Sequence, residues 1–173
     1  ATHPGAIAPR GMASVSPFNV AGRNDLNSLE KDSRWLSNHD VYENKFLTGF
    51  SHVNMSGVGC PELGVLISMP TTGDLQIHHL KYGTTYSSEQ AKAGYYSTEL
   101  DKYGVKAEMT ASTRTGVSRY SFPKGKSNIL LNLGLGLTNE QGAMVKIVSS
   151  TEIEGMRTVG SFKVSKSSFP ISF

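Results

Sequence analysis

Residues 95–113 read Tyr-Tyr-Ser-Thr-Glu-Leu-Asp-Lys-Tyr-Gly-Val-Lys-Ala-Glu-Met-Thr-Ala-Ser-Thr, and this stretch decides the fold class. From residue 105 onward apolar and polar side chains alternate, with Val105, Ala107 and Met109 on one face. Successive side chains of a β-strand point to opposite faces, so the alternation predicts a half-buried strand over residues 105–113. A Lys-Tyr-Gly turn joins it to a preceding strand over residues 95–101. The stretch therefore predicts an antiparallel hairpin with one face on a core.

Similar segments continue on both sides of this hairpin. Short apolar runs bounded by Gly, Pro or polar turn residues predict further strands over residues 63–69 (closing at Pro70), 75–82, 117–122, 128–133, 143–154 and 156–162, the last two around Gly155. No segment of ten or more residues has a convincing period of 3.6, and residues 88–93 could form a single helical turn at most. Several short strands at regular spacing predict an all-β fold, an antiparallel β-sandwich.

The first 60 residues have a different character. Prolines and glycines interrupt short apolar pieces, and the best early strand covers residues 12–18, ended by Pro17. Residues 24–44 are polar and contain the single tryptophan, Trp35. A long irregular segment in a compact domain is more often functional than idle. We expect one β-sandwich domain over residues 1–173, loop-rich over 1–60 and with regular strands over 63–162.

Composition excludes several classes of protein. The 173 residues suit one domain, and 17 basic against 14 acidic side chains give a net charge of +3. No apolar run approaches the roughly 18 residues of a membrane-spanning helix, so we expect no membrane span. The basic residues are scattered without an aromatic stacking surface, which argues against nucleic-acid binding.

The single cysteine, Cys60, excludes an intramolecular disulfide and a cysteine-based zinc site. It precedes Pro61 and an apolar strand, which favours a buried, inert thiol. Residues 1–10 lack the pattern of a signal peptide.

The densest group of polar side chains lies at residues 49–62, Gly-Phe-Ser-His-Val-Asn-Met-Ser-Gly-Val-Gly-Cys-Pro-Glu. Ser51, His52, Asn54 and Ser56, placed between glycines, could present hydrogen-bond donors to a hydroxyl-rich or anionic ligand. The alternative is a tight loop whose glycines only supply positive φ angles. The segment is no phosphate-binding loop, because no strand-to-helix context and no Lys-Ser/Thr pair follow it.

Other candidate side chains also leave alternatives open. Trp35 lies in a polar loop and could be a sugar-stacking platform or a loop anchor. His78 and His79 are adjacent in a predicted strand and would point to opposite faces, which argues against joint metal binding. Glu152 and Glu154 share a predicted strand face, which fits glycosidase carboxylates but is also ordinary solvated patterning. These patterns assign no catalytic and no metal-ligating residue.

Four sequence blocks occur in an order that is found in a known family. The first is Thr-His-Pro-Gly-Ala-Ile-Ala-Pro-Arg-Gly-Met at residues 2–12, followed by Val-Ser-Pro at 15–17. The second, residues 49–73, runs from Gly-Phe-Ser-His through the buried strand to Met-Pro-Thr-Thr-Gly. The third covers residues 94–123 and the fourth is the strand over 128–133. Together the blocks resemble the N-terminal region of glycoside hydrolase family 92.

This resemblance implies a fold, an activity and a cofactor. The family comprises calcium-dependent, exo-acting α-mannosidases, largely bacterial, that invert configuration while trimming mannose from N-glycans or mannan. Its members join an N-terminal β-sandwich to a catalytic (α/α)6 barrel, with the active site between the two. The resemblance implies that the general acid, the general base and most calcium contacts belong to the barrel, which is absent from this chain. It also implies export to the periplasm or cell surface, an α-mannoside glycan as ligand, and the barrel as partner domain.

Individual residues can be carried over from the family. Trp35 falls in the loop that faces the substrate. A further set falls on the block that borders the mannose pocket: His52, Asn54, Ser56, Gly57, Gly59 and Cys60, with Asn54 where the family often has His. We expect a substrate-positioning domain of an α-mannosidase that is inactive alone. Two alternatives are a stand-alone, lectin-like carbohydrate-binding module and an adhesin-like structural sandwich.

Overall fold

The computed structural model describes residues 2–20, 38–55, 63–137, 140–160 and 168–172. These residues form fifteen short strands and one helical turn. In chain order the elements are β1 (Ala6–Ile7), β2 (Ser14–Pro17), β3 (Phe46–Leu47), β4 (Phe50–Ser51), β5 (Val53–Asn54), β6 (Leu63–Val65), β7 (Ile67–Thr72), α1 (His79–Tyr82), β8 (Thr84–Lys92), β9 (Tyr95–Leu100), β10 (Val105–Ala111), β11 (Gly116–Ser121), β12 (Ser127–Asn132), β13 (Glu140–Ile147), β14 (Ile153–Gly160) and β15 (Ser168–Ser172). The pairing between strands of the described ranges is antiparallel throughout, so the predicted all-β class is confirmed.

The first large sheet has the strand order β1-β2-β4-β7-β12. All four residues of β2 are buried, since this strand lies inside the sheet with neighbours on both sides. The pairing of β7 with β12 runs from Thr72 opposite Ser127 to Ile67 opposite Asn132. The strands predicted over residues 12–18 and 128–133 are thus confirmed as β2 and β12.

The second large sheet has the order β11-β10-β9-β8-β3 and contains the hairpin predicted from residues 95–113. Val105 pairs with Leu100 across the β9–β10 turn. Val105, Ala107 and Met109 are buried while their neighbours along β10 are more exposed. The alternation along the sequence therefore predicted the buried face of this strand correctly.

The two large sheets pack face to face around the main core. Phe50 of β4 lies between the sheets, with its ring centroid 6.4 Å from that of Tyr96 in β9 and 6.3 Å from that of Tyr120 in β11. Met69 from the first sheet and Met109 from the second belong to the same buried cluster. Burying one such side chain contributes roughly 1.5–3 kcal/mol. The sandwich is therefore held by apolar contacts contributed from both layers.

Two smaller sheets complete the described part of the fold, one of order β13-β14-β15 and one formed by β5 and β6. Val159 at the base of β14 packs on Val65 and Leu66, and Ile171 of β15 lies against the same cluster. Residues 142–154, at the far end of the β13–β14 hairpin, are exposed throughout. The hairpin is thus anchored at one end and projects into solvent at the other.

The strand predicted over residues 75–82 is wrong. Leu75 and Ile77 are 52% and 80% exposed instead of facing the core, and α1 begins after His78, whose ring accepts a hydrogen bond from the Leu80 amide. Tyr82 is buried, and its hydroxyl accepts a hydrogen bond of 2.7 Å from the Asn132 amide group. Packing of Tyr82 against the body of the domain therefore overrides the local strand pattern.

The strand predicted over residues 63–69 differs in its boundaries. Leu66 adopts a left-handed conformation, with φ at 56°, and this bend separates β6 from β7. β7 then continues through Pro70 instead of closing there. Among the described residues, β4 pairs with β7 at Phe50 and Ser68 alone. Beyond Ser68, the edge of β7 that faces β4 has no partner strand among the described residues, so no amide donor is needed there. A strand tolerates proline at such an unpaired edge.

The turn predicted at Gly155 is also displaced. Gly155 lies inside β14, opposite Val145, and the chain reverses around residues 148–152, where the Val148 amide donates to the Glu152 carbonyl at 3.0 Å. Residues 88–93 do not form a helical turn, because most of them lie in β8. Ser88 has φ at 52° and lies where the register between β8 and β9 shifts, so this region is a bulge in a strand.

Candidate functional site

The described ranges contain His52 and Asn54 from the group carried over from the family. The remaining members lie outside the described residues, and their part in binding stays a prediction: Trp35, Ser56, Gly57, Gly59 and Cys60.

His52 links three segments of the chain, namely β2, β6 and the bend at Leu66. Its backbone amide donates to the Val65 carbonyl at 3.0 Å, and its carbonyl accepts from the Ser14 amide at 3.2 Å. Its ring Nδ1 is 2.6 Å from the Leu66 carbonyl, which can only accept, so Nδ1 carries the proton. Burial lowers the pKa of His52, and the imidazole is therefore neutral at pH 7. Its donor nitrogen is engaged inside the protein.

Asn54 uses its whole amide group in internal hydrogen bonds. Its Nδ2 donates to the backbone carbonyl of Ser14 at 3.2 Å and to the Ser14 hydroxyl at 3.0 Å. Its Oδ1 accepts from the Ser51 hydroxyl at 2.6 Å. The structure thus brings His52 and Asn54 to the same edge of the sandwich, where they hold β5 against β2 immediately before residues 56–62.

A separate cleft, which the sequence did not indicate, opens between the N-terminal segment, the loop over residues 38–45 and β8. Its volume is about 440 Å³. Its lining consists of polar, aromatic and small side chains: Thr2, His3, Pro4, Asp40, Tyr42, Glu89 and Ala91. The three contributing segments are distant in sequence, so the cleft exists only in the folded chain.

Buried asparagines hold the loop that forms one wall of this cleft. Asn19 accepts from the Val41 amide at 2.7 Å and donates to the carbonyls of Val41 and Asn44, at 2.8 and 2.7 Å. Asn44 in turn donates to the Asn19 carbonyl at 2.6 Å and accepts from the Phe46 amide at 3.1 Å. Asn38 donates to the Thr2 carbonyl at 3.3 Å, which ties the loop to the N-terminal segment. The cleft wall is therefore preorganised.

Asp40 lies in surroundings that disfavour its charge. Its Oδ1 is sealed from solvent and has no hydrogen-bond partner. Burial, with a smaller contribution from the Glu89 carboxylate, raises the pKa of Asp40 to about 7, although the Lys45 ammonium opposes the shift. At neutral pH this side chain is thus near the midpoint of its titration.

Glu89 and its neighbours form the opposite wall. The Tyr96 hydroxyl donates to Glu89 Oε1 at 2.9 Å, and Lys45 Nζ lies 3.5 Å from Oε2. The same ammonium lies 4.2 Å from the ring centroid of Tyr42 and 5.1 Å from that of Tyr86. The charge of Glu89 is therefore balanced by Lys45, which also supports the exposed ring of Tyr42.

Two histidines lie side by side, His3 in the lining of the cleft and His39 fully buried beside it. The ring centroids of His3 and His39 are 4.7 Å apart. Burial lowers the pKa of both, for His39 well below its ordinary value, with a further contribution from His3. Both imidazoles are thus neutral at pH 7. The cleft as a whole offers neutral and partly neutralised hydrogen-bonding groups.

The described part of the chain does not assemble a recognisable metal site. No group of three or more His, Cys, Asp or Glu side chains within it is arranged to hold a metal ion. A calcium site needs six to eight oxygen ligands. His78 and His79, expected on opposite faces of a strand, instead lie at the start of α1 with ring centroids 4.7 Å apart. Among the described residues, these side chains therefore form no set of calcium ligands.

The outer face of the second sheet carries another polar cluster. Glu108 accepts from Arg119 at 2.7 and 2.9 Å and from the Tyr95 hydroxyl at 2.8 Å. The Tyr95 hydroxyl and then the guanidinium of Arg119 lower the pKa of Glu108. Since these groups pair with each other, the cluster ties three strands together and presents no unused acceptor.

Glu152 and Glu154, which share a predicted strand face, do not form a carboxylate pair at a site. Glu152 lies in the turn between β13 and β14, and Glu154 lies within β14. Both are exposed, and Glu154 is 3.8 Å from Lys146. Glu152 and Glu154 are therefore ordinary solvent-exposed side chains of the hairpin.

Comparison with known proteins places the chain in context. The family model described as the glycosyl hydrolase family 92 N-terminal domain matches residues 1–173. No curated protein matches the chain. Within the described ranges, no helix is long and apolar enough to cross a membrane.

Several solved structures are similar to this chain. The family GH92 α-mannosidase BT3965 from Bacteroides thetaiotaomicron is 29% identical, with a TM-score of 0.81 over 92% of this chain and 22% of that chain. The GH92 family glycosyl hydrolase ccman5 is 25% identical, with a TM-score of 0.77 over 99% of this chain and 23% of that one. The family GH92 inverting mannosidase BT2199, also from B. thetaiotaomicron, is 19% identical over 91% of this chain and 19% of that one; its TM-score of 0.64 shows the shared fold alone. The chain thus spans about a fifth of the length of these relatives.

Proposed function

Since this chain belongs to glycosyl hydrolase family 92, as an N-terminal domain of that family, we propose that it is the substrate-positioning sandwich of an exo-acting, inverting α-mannosidase. Its substrates are α-mannosides of N-glycans or mannan. The observation that carries the proposal is the family match over residues 1–173 together with the structural similarity to an α-mannosidase at 29% identity. The sandwich forms one wall of the mannose pocket and packs on a catalytic barrel.

We assign the catalytic groups to that barrel. An inverting glycosidase needs a general acid and a general base about 6.5–9.5 Å apart, with a water molecule between them. Among the described carboxyl groups, Asp40 has the raised pKa that suits an acid. However, its neighbour Glu89 is engaged by the Tyr96 hydroxyl and by Lys45, so it is poorly available to activate water. The sandwich alone is therefore expected to be inactive.

The proposal also covers calcium and location. We place the calcium ion in the barrel, since the described residues of this chain supply no group of ligands for it. When bound, calcium would polarise substrate oxygens and organise the reacting water. We further propose that the protein is exported to the periplasm or surface of a bacterium, as is usual in the family that the sequence resembles.

Release of mannose tests this division of labour. The 173-residue chain and the complete polypeptide encoded by its gene are each incubated with α-linked mannobioses, with calcium and with a chelator. We expect no release by the chain alone, and calcium-dependent release of β-mannose, detected by NMR, by the complete polypeptide. Release by the repurified chain would contradict the assignment of the catalytic groups to the barrel. Complete inactivity of the longer polypeptide would contradict the mannosidase itself.

A second candidate, a stand-alone carbohydrate-binding module, is favoured by one observation. The Asp40 cleft and the exposed Tyr42 ring lie entirely within this chain. Such a module binds mannosides without any associated hydrolysis. The same experiment distinguishes the two, because a module would leave every mannobiose intact even as the complete polypeptide.

A further inference from the structure

The cleft around Asp40 continues into a second one. A depression of about 530 Å³ lies along the N-terminal segment and the β8–β9 turn, and it shares His3, Pro4 and Ala91 with the Asp40 cleft of about 440 Å³. Each volume lies within the roughly 300–1,000 Å³ of small-molecule sites. The two adjoin along these shared residues and are together called the groove, and its described lining leaves room for more than one small ring.

Asp40 supplies an unused acceptor in this groove. Its Oδ1 is sealed and unpartnered, and the nearby Lys45 ammonium lies 3.5 Å from Glu89. Asp40 lines the groove, and since its Oδ1 is sealed, its Oδ2 is the oxygen that a ligand can reach. A sugar hydroxyl that donates a hydrogen bond to Oδ2 would give the Asp40 carboxyl a partner from the groove side.

Tyr42 supplies an aromatic surface beside the carboxylate. Its side chain is 72% exposed, and the Lys45 ammonium lies 4.2 Å from its ring centroid. A ring supported in this way on one face keeps its opposite face available for a ligand. Aromatic faces bordered by hydrogen-bonding groups suit ligands with one apolar and one polar side, such as a pyranose ring.

The charges at the Asp40 end of the groove favour a neutral ligand. His3, which lines this end, is neutral at pH 7, and Glu89 is balanced by Lys45. The other end carries the cations Arg10 and Lys92, so the sugar ring is placed at the Asp40 end, where neither a strongly cationic nor a strongly anionic partner gains much. The buried hydrogen bonds of Asn19, Asn44 and Asn38 hold the wall before any ligand arrives, which reduces the entropy lost on binding.

We propose that this groove is a sugar-binding subsite built wholly from the sandwich, in which Asp40 accepts from pyranose hydroxyls and Tyr42 stacks on the ring. Its ligand class is a neutral pyranoside. The choice of an α-mannoside rests on the proposed function, whereas the site itself does not. The subsite would hold an outer sugar unit of a branched glycan while another unit is cleaved.

Binding of methyl α-mannopyranoside and α-mannobiose to the 173-residue chain tests the proposal, with chemical shifts of assigned amides followed by NMR. We expect concentration-dependent shifts at residues 2–4, 40–42 and 89–91. Tyr42→Ala should weaken binding about tenfold and Tyr42→Phe should leave it unchanged. At pH 8, where Asp40 is mostly ionised, Asp40→Asn should also weaken it, because the carboxylate is the stronger acceptor.

Tyr95→Ala is the matched control. Tyr95 also lies beneath a lysine, with Lys92 Nζ 5.0 Å from its ring centroid, but it borders the outer face of the second sheet. We expect binding by this variant to equal that of the parent chain. Absence of shifts at tens of millimolar sugar, shifts confined to residues 49–62, or unchanged binding by Tyr42→Ala would each overturn the subsite.

The sugar panel separates this proposal from the proposed function. Equal binding of methyl β-galactopyranoside with the same dependence on Tyr42 would support the subsite and count against its assignment to mannose. Mannose release by the complete polypeptide without any binding in the groove would support the mannosidase and overturn the subsite.

Discussion

Asp40 illustrates how burial, more than any single contact, sets the chemistry of a side chain. One of its oxygens is sealed from solvent, and the carboxyl faces the like charge of Glu89 as well as the opposite charge of Lys45. The residue is held there by the Asn19 and Asn44 hydrogen bonds of its loop. The same interactions that shape the cleft therefore keep an acidic group partly protonated near neutral pH.

Asp40→Asn should change the pH dependence of stability. The pKa of Asp40 is 3.8 in a solvated chain and about 7 in the fold, so between these values the native state binds more protons than the unfolded state. The free energy of unfolding of the parent chain therefore falls as pH rises from about 4 to about 7. We expect the Asn variant to gain stability relative to the parent over this window, by at most about 4 kcal/mol. Urea denaturation at several pH values measures the difference.

Comparing the two chains cancels the histidines, which act in the opposite direction. Burial lowers the pKa of His3, His39, His52 and His79, so their contribution to stability is lost as pH falls below about 6.5. Both chains share this loss. A stability difference that stays constant from pH 4 to pH 8 would refute the account of Asp40.

At the scale of elements, two glycines of the family-like blocks are explained by the close approach of neighbouring strands. Gly49 precedes β4 with φ at 141°, and a Cβ there would lie 2.4 Å from the Ile67 side chain. A Cβ on Gly5, next to β1, would lie 2.4 Å from Ser16 of β2. In both places the absence of a side chain lets neighbouring backbones approach. These two glycines therefore have a structural role in the first sheet.

Gly49→Ala should destabilise the first sheet. The substitution combines an unfavourable φ with a collision against β7, so we expect a loss of about 2–4 kcal/mol in the free energy of unfolding. Gly73→Ala is the matched control, since Gly73 has φ at 77° but no atom within 4 Å of a new Cβ. It should lose only about 1 kcal/mol. Equal losses in the two variants would show that the collision is unimportant.

At the scale of the whole molecule, the β13–β14 hairpin stands out within the described ranges, because its far end has little support from the core. Ile147 and Ile153 are paired across the hairpin and are 79% and 49% exposed, and Val145, on the same face, is 44% exposed. Exposed apolar surface on a projecting hairpin with an edge strand favours association with other surfaces. We therefore expect the isolated domain to self-associate through this hairpin.

Ile147→Lys should shift the isolated chain toward monomer. The added charge lies on the exposed face and disfavours burial in an interface. Sedimentation velocity across a concentration series measures the change, with Thr151→Lys in the adjacent turn as a control for net charge. Identical sedimentation of the parent chain and Ile147→Lys, or an equal effect of the control, would show that the hairpin is not the contact surface.

The sequence by itself determined the class of the fold and most of the strands in its second half. The alternation over residues 105–113 reports a local property, since side chains two apart in a strand share a face whatever the rest of the chain does. It therefore predicted the buried face of β10 correctly. The family blocks, which depend on order along the chain, likewise matched the family that the chain belongs to.

Only the tertiary structure decided the helical turn at Tyr82, the bend at Leu66 and the cleft around Asp40. Tyr82 is placed by a hydrogen bond to Asn132, fifty residues away, and no local pattern contains that contact. The cleft joins residues near positions 3, 40 and 89, and no sequence pattern shows that these three segments meet. Such features depend on the packing of distant segments and on the burial that follows, and burial is a property of the folded chain alone.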